Sequence, residues 1–292
     1  MAWSRWVSCS LAAGITMFLV GAAFYILVPI LAPGIPPQYD NHGLFRVLSG
    51  WPLIYMVIHP FAYGFAFAAA FLALRRWSSF PSGIHGGCIF GASVFIVGSL
   101  PVYLLVFASF QVSAEIIVSW TMQSLAQYVL AGLAVGCVAD GVTVRVRSRL
   151  AAPAGQVWQL LLSKETFLFI TRGMMTFTDS EVWPEPLFSP GAKIDTRVRF
   201  FGRGPASPHQ IRIVRVDEIK REINTEENGG LVDIWNHRMR VEAVSGEESF
   251  YTDHIELRAG LITPVVWSFA FVYYRYRHRR WRELLVESNA TT

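Results

Sequence analysis

The stretch Gly136-Cys137-Val138-Ala139-Asp140-Gly141-Val142-Thr143-Val144-Arg145-Val146-Arg147-Ser148-Arg149 changes character half-way, and that change decides how the chain is read. Up to Ala139 it is apolar and uncharged, as in a helix surrounded by lipid or protein. From Val142 apolar and polar residues alternate with period two, the mark of a strand with one buried face. Only Asp140-Gly141 separates the patterns, so two different structures are joined with almost no linker.

Upstream of this boundary, charge nearly disappears. Residues 1–141 hold four of the 25 Lys/Arg (Arg5, Arg46, Arg75, Arg76) and three of the 21 Asp/Glu (Asp40, Glu115, Asp140). The runs 6–39, 47–74, 77–114 and 116–139 carry no charge; each exceeds the roughly 20 residues that cross a ~30 Å hydrocarbon core. Turn signals trim them to four spans near 7–31, 51–74, 83–109 and 116–139. The first is longer than a signal-peptide core of roughly 7–15 residues and lacks a small-x-small cleavage site, so it reads as an uncleaved anchor. Arg5, Arg75, Arg76, Arg145, Arg147 and Arg149 flank one side and Arg46 the other, which puts both termini in the cytoplasm. An even number of spans agrees.

Composition narrows the function classes. With 53% hydrophobic and 16% charged residues the chain departs from the about 25% charge of a soluble domain, which excludes a wholly soluble enzyme or a disordered tail. Cys9, Cys88 and Cys137 lie in apolar stretches and exclude a disulfide scaffold. A net charge of +4 is too small to imply nucleic acid. Inside the spans, His59 and His85 lie near helix ends, and Gln123 and Gln127 read as an interhelical hydrogen bond. Gly83, Gly86, Gly87, Gly91, Gly132 and Gly136 allow close helix contact, compatible with a homo-oligomer through the bundle. No transport path stands out; a transporter or scaffold needs a continuous polar path.

Downstream, Pro153 opens a helix carrying Val157, Trp158, Leu161 and Leu162, and Ser163-Lys164-Glu165 starts a second toward Phe169. Extended stretches follow at 197–201, 210–216 and 222–226, then a hairpin from 233–243 across 245–249 to a return strand. Thr263-Pro264 starts a last helix to Glu287, on which Tyr274, His278, Trp281 and Leu285 share a face. Its uncharged start, Ala259 to Tyr274, is too short for a fifth span, and crossing would put the Arg-rich part outside. The fold class is therefore a four-span α-helical membrane bundle followed by an α+β domain, 1–141 and 142–288, with 289–292 a tail.

The segments Thr225-Glu226-Glu227-Asn228-Gly229-Gly230, Trp235-Asn236-His237, Tyr251-Thr252-Asp253-His254 and Ala259-Gly260-Leu261-Ile262-Thr263-Pro264, leading to Tyr274-Arg275-Tyr276-Arg277-His278-Arg279-Arg280-Trp281, resemble bacterial members of the SRPBCC (START-like, polyketide-cyclase-like) superfamily. The resemblance covers about 142–287. It implies a helix-grip fold, a curved antiparallel sheet around a long C-terminal helix, with a hydrophobic cavity that in this superfamily binds lipids, polyketides or other apolar molecules. Only some branches are enzymes. The helical half resembles no family.

Parity chooses the buried face of the hairpin without that resemblance. Trp235, His237, Met239 and Val241 alternate with polar neighbours, as do Tyr251, Asp253, Ile255 and Leu257 on the return strand. A turn at 245–249 pairs Met239 with Ile255 and Val241 with Asp253, leaving no direct His237–Asp253 contact. The expected ligand-binding residues are Trp235, His237, Met239, Val241, Tyr251, Asp253, Ile255, Trp267 and Tyr274. Asp253, a carboxylate among apolar residues, needs a partner such as an Arg of the last helix. Asp253 and His237 are also the candidates for acid/base catalysis. Arg145, Arg147, Arg149, Arg275 and Arg279 are candidates for lipid head groups, although arginines on a strand or helix are usually just a solvated face. No cofactor motif and no metal-ligand spacing is present, so none is expected. These readings point to a membrane-anchored protein of the bacterial inner membrane that binds a hydrophobic or lipid-like molecule; the alternative is a cyclase- or dehydratase-type enzyme on a polyketide-like substrate.

Overall fold

The computed structural model describes residues 2–203, 205–230 and 232–290. The chain divides at Gly141–Val142 into two compact units.

In the first unit, apolar composition gives helices α1 (Ala2–Leu31), α2 (Trp51–Trp77), α3 (Gly83–Val94), α4 (Leu100–Ser109) and α5 (Ala114–Asp140). A π turn over Phe95–Ser99 joins α3 to α4 just before Pro101, whose ring nitrogen has no proton to donate one turn back. Taken through that turn, four helices are long and apolar enough to cross a membrane. Glycine sets how closely two of them pack. A Cβ on Gly132 of α5 would stand 2.0 Å from the carbonyl oxygen of Gly87 on α3, so no other residue fits without moving a backbone. Small and aromatic residues such as Ala13, Phe67, Phe71 and Val135 fill the interior. Leu19, Ile26, Trp51, Leu104 and Leu105 point outward.

Charged groups of this unit gather at the helix ends. Asp140 draws Arg5 (3.2 Å) and Arg75 (3.4 Å) and accepts the Gly83 amide (2.7 Å), tying four helix termini together. At the opposite ends Gln38 donates to Glu115 at 2.8 Å.

The second unit is a seven-stranded antiparallel sheet in the order β1-β7-β6-β5-β4-β3-β2. Its strands are β1 (Val142–Leu150), β2 (Met175–Phe177), β3 (Lys193–Phe200), β4 (Ser207–Asp217), β5 (Glu222–Gly229), β6 (Val232–Ala243) and β7 (Ser249–Arg258), with helices α6 (Ala154–Leu162), α7 (Lys164–Thr171) and α8 (Thr263–Ala290). Helix α8 packs on the β1–β7 side: the Trp267 indole donates to the Thr143 carbonyl (3.1 Å), Arg282 to Ser148 (3.2 Å), and Trp281 lies 5.1 Å from the Tyr251 ring. This is the helix-grip arrangement. Tyr274, His278, Trp281 and Leu285 form its buried face.

Several expectations shift. Strand β3 begins at Lys193 rather than 197, and the three-residue β2 is too short to show periodicity. Phe201, expected to end the strand, adopts a left-handed turn conformation with φ 55°. Helix α8 continues through residues 289 and 290 of the expected tail, while 291 and 292 lie outside the described residues. The hairpin register is also corrected: Met239 pairs with Asp253, His237 with Ile255 and Val241 with Tyr251. The turn occupies 244–248 rather than 245–249, so the pairing slips by two residues. An even slip leaves each residue on the same face. Trp235, His237, Met239, Val241, Tyr251, Asp253, Ile255 and Leu257 are all buried.

Candidate functional site

Where α8 leaves the far side of the sheet uncovered, strands β2 to β6, Phe167 of α7 and the first half of α8 enclose a cavity of about 350 Å³. Its wall is mostly apolar: Met175, Phe177, Val198, Ile211, Val266 and Phe269. One end is not. There His209, Glu227, His237, Tyr273, Tyr274 and Arg277 meet.

The inward alternation that buries Ile223 and Thr225 on β5 carries Glu227 to this wall, and the same parity on β4 places His209 before Ile211 and Ile213. Glu227 is satisfied on both oxygens, by the Thr225 hydroxyl at 2.8 Å and by His209 Nε2 at 3.0 Å. His237 Nδ1 stands 3.8 Å from Glu227 Oε1, and its Nε2 lies 2.8 Å from Asp253 Oδ1. The His–Asp contact that the expected register ruled out is therefore made. Asp253 also accepts from the Tyr251 hydroxyl at 2.6 Å, and His278 Nε2 lies 3.3 Å from its other oxygen.

Electrostatics fix the protonation states. Burial alone favours neutral Asp253, but Arg277, His237 and His278 outweigh it and hold the carboxyl well below its usual range. Burial likewise opposes charge on Glu227, and His209 and His237 overcome it, so Glu227 stays ionised. For His237, burial disfavours the proton while Asp253 and Glu227 retain it, raising the pKa above 6.5. Asp253, His237, Glu227 and His209 thus form one line of alternating acids and imidazoles, three of them on the cavity wall.

The sequence candidates divide accordingly. Trp235, His237 and Tyr274 line the cavity, and the Trp235 indole donates to the Tyr274 hydroxyl at 3.1 Å. Met239, Val241, Tyr251, Asp253 and Ile255 do not: they lie where α6 and α8 cover the sheet, so helix side chains occupy the space expected for ligand. Trp267 is also outside the cavity; it is partly exposed and stacks on Phe271. The run Arg275 to Arg282, read as a solvated face, is exposed at Arg275, Arg279 and Arg282, but Arg277 is only 2% exposed and turns inward. Glu227, His209 and Arg277 were missed, although strand parity carried the signal for the first two. Arg145, Arg147 and Arg149 are exposed; Arg147 and Arg149 pair with Glu242 and Glu248, and Arg279 with Glu283.

The helical unit offers a weaker candidate, a polar seam from Glu115 through Trp120–Tyr39 and Tyr103–Ser124 to Ser99–Tyr128. It stops one turn later, where Gly91 meets the Tyr128 carbonyl and Gly87 meets Gly132 backbone to backbone.

No family model matches the chain, and no curated protein matches it. Solved structures similar to it include a START superfamily protein from Mycobacterium smegmatis (TM-score 0.40, 11% identity, covering 50% of this chain and 97% of that one). An aromatase/cyclase from Streptomyces sp. R1128 is similar at TM-score 0.39 and 11% identity, over 49% and 92% of the two chains. Norcoclaurine synthase from Thalictrum flavum, solved with dopamine and hydroxybenzaldehyde, is similar at TM-score 0.38 and 12% identity, over 50% and 87%. The helix-grip description rests on the strand order and α8 themselves.

Proposed function

We propose that the protein is a membrane-anchored binder of a hydrophobic or lipid-like molecule, with four helices spanning the bacterial inner membrane, both termini cytoplasmic, and the START-like domain 142–288 working at the membrane face. The observation that carries this reading is the apolar cavity and its mouth. Phe200, Phe201, Ile262 and Val265 line the cavity yet are exposed, Val265 by 70%, a poor rim for water and a suitable one for lipid. Ile262 and Val265 lie just before and in the first turn of α8, which is tied by Trp267 to Thr143 of β1. Arg145 and Arg275 retain more charge for lipid head groups than Arg147, Arg149 and Arg279, whose charges are already paired. A cavity of about 350 Å³ is at the small end of the roughly 300–1,000 Å³ that holds drug-sized ligands, which favours a single acyl chain or a small fused-ring body over a two-chain lipid. Native mass spectrometry of the full chain released from bacterial membranes tests the reading. A stoichiometric apolar adduct is expected; an empty protein that also takes up no added apolar molecule ends it.

A second reading, an acid/base enzyme of cyclase or dehydratase type, is favoured by the Asp253–His237–Glu227–His209 line beside the cavity. In it, His237 is the acid and Asp253 positions its ring. Once a substrate is found, His237→Gln should abolish turnover while binding persists; unchanged turnover removes this reading. The transporter reading is not favoured, because the polar seam ends at the glycine contacts. Association through the helical bundle is readable by crosslinking in native membranes.

A further inference from the structure

Hydrogen-bonding capacity at the polar end of the cavity is unbalanced. Glu227 is satisfied on both oxygens. Asp253, fully buried, is not part of the cavity wall. Beside His209, Asn228 and His237, the same wall carries three donor-bearing side chains, Arg277, Tyr273 and Tyr274. Tyr274 accepts from Trp235, which leaves its own proton to give. Arg277 is 2% exposed and its Nε has no hydrogen-bond partner. Among the described residues its hydrogen bonding is confined to tyrosine hydroxyls, a long bond of 3.4 Å from Nη2 to Tyr251 and an interaction with Tyr273. Among the described residues, no carboxylate oxygen lies within 4.0 Å of its guanidinium nitrogens. Asp253 draws on Arg277 at longer range but takes its direct contacts from His237, Tyr251 and His278.

A buried guanidinium retains five fixed N–H groups and no acceptor, and leaving them unmade in an apolar wall is costly. Aromatic faces of Tyr274 (5.2 Å) and Tyr273 (5.8 Å) offset part of that cost. What Arg277 lacks is a close carboxylate, Glu227 on the same wall being engaged by Thr225 and His209, and the acceptor best matched to a guanidinium fork is an oxyanion.

We infer that the ligand is an amphiphile with an oxyanion head, a carboxylate or phosphate ester, seated on Arg277 beside Tyr273 and Tyr274, with its apolar body along Met175, Val198 and Phe269. The inference rests on the ligand-binding reading above and names the ligand's class. Burial keeps both tyrosines protonated, so they donate to the same head.

The test uses the full chain in lipid nanodiscs with four 12-carbon probes: dodecanoate, dodecyl phosphate, dodecan-1-ol and dodecylamine. Binding is read by native mass spectrometry, and the bound head by ¹³C NMR of [1-¹³C]dodecanoate. At least one anionic probe should bind ten-fold or more tighter than the alcohol and the amine, and whichever anion wins identifies the head. Bound dodecanoate should stay ionised at a lower pH than dodecanoate dissolved in the nanodisc lipid. Arg277→Met should erase both effects and Arg277→Lys should restore part of them. Equal binding of anion and alcohol, or preference for the amine, overturns the inference while leaving an apolar cavity. Binding of none of the four removes the cavity reading and this inference with it. The probe comparison needs no variant, so an unfolded Arg277→Met does not blunt it.

Discussion

The two units of this chain bury opposite things. In the helical unit, Leu19, Ile26, Trp51 and Leu105 face outward, small residues and a few aromatics such as Phe67 and Phe71 hold the interior, and charge sits at the helix ends on Asp140, Arg5 and Arg75. In the α+β unit the apolar residues face inward, and charge goes in with them: Asp253, His237 and Arg277 are each at most 3% exposed. The difference is the one expected of the proposed arrangement, in which the helical unit meets lipid and the α+β unit meets water. A helix in lipid gains little by hiding leucine and much by backbone contact. A sheet in water gains by hiding apolar surface, and buries a charge only where a partner or a ligand compensates it.

The largest test of this contrast is Asp253→Ala. It leaves His237, His278 and Arg277 buried together without their carboxylate, and breaking a buried pair in this way typically costs about 3–5 kcal/mol. Hydrogen exchange on the full chain should show faster exchange across β6, β7 and α8 while α1 to α5 keep their protection. Loosening that spreads equally through residues 2–141 breaks the idea that the two units are stabilised separately.

How far the sequence revealed this depended on periodicity. The helices were legible because chargeless runs longer than 20 residues have few other readings, and the inward face of β6 and β7 because Trp235–Val241 and, Asp253 apart, Tyr251–Leu257 alternate. The register was not legible, since a five-residue turn can start at 244 or 245 without changing which residues are apolar. That one-residue difference concealed the His237–Asp253 contact. Arg277 was hidden for another reason: five arginines in one helical run look solvated, and only the 274–278–281 face shows that 277 lies beside it. Glu227 and His209 were accessible by extending the parity argument to β5 and β4. The cavity itself arises from what α8 leaves uncovered, which no local pattern encodes.

Gly132→Ala is the matching test in the helical unit. The added methyl meets the Gly87 carbonyl at 2.0 Å, and overpacking of this kind costs about 1–3 kcal/mol. Faster exchange is expected in α3 and α5, with β5 to β7 unchanged. A variant as protected as the parent means that the backbones are not in contact, and removes the glycine argument.

The acid–base line sharpens the contrast further, because it gives the α+β unit its own pH dependence. His237 has a raised pKa, so the stability it contributes is complete below 6.5 and is lost as pH rises through the raised value. Glu227 and Asp253 have lowered values, so their contribution is complete above about 4.5 and is lost as pH falls. Stability of residues 142–290 should therefore be greatest between about pH 4.5 and 6.5 and decline on either side. Each tenfold difference in a group's proton affinity between the folded and unfolded chain contributes about 1.4 kcal/mol to that decline. Thermal unfolding followed by near-ultraviolet circular dichroism checks this. His237→Gln should remove the alkaline decline and keep the acid one; an unaltered alkaline decline means that another group titrates there.

The smallest effect is expected where charge meets solvent. Arg5 is 41% exposed and shares Asp140 with Arg75 and the Gly83 amide, so Arg5→Gln leaves the carboxylate two partners. Exposed pairs contribute about 0.2–1 kcal/mol, which limits the change to roughly five-fold faster exchange at the start of α1. The proposed orientation should hold as well, since Arg75, Arg76, Arg145, Arg147 and Arg149 would remain on the same side of the proposed spans. Protection lost along the whole of α5 would mean that the Asp140 cluster behaves as a buried one, as the Asp253 cluster does. The electrostatics of the two units would then be alike, and only their apolar faces would distinguish them.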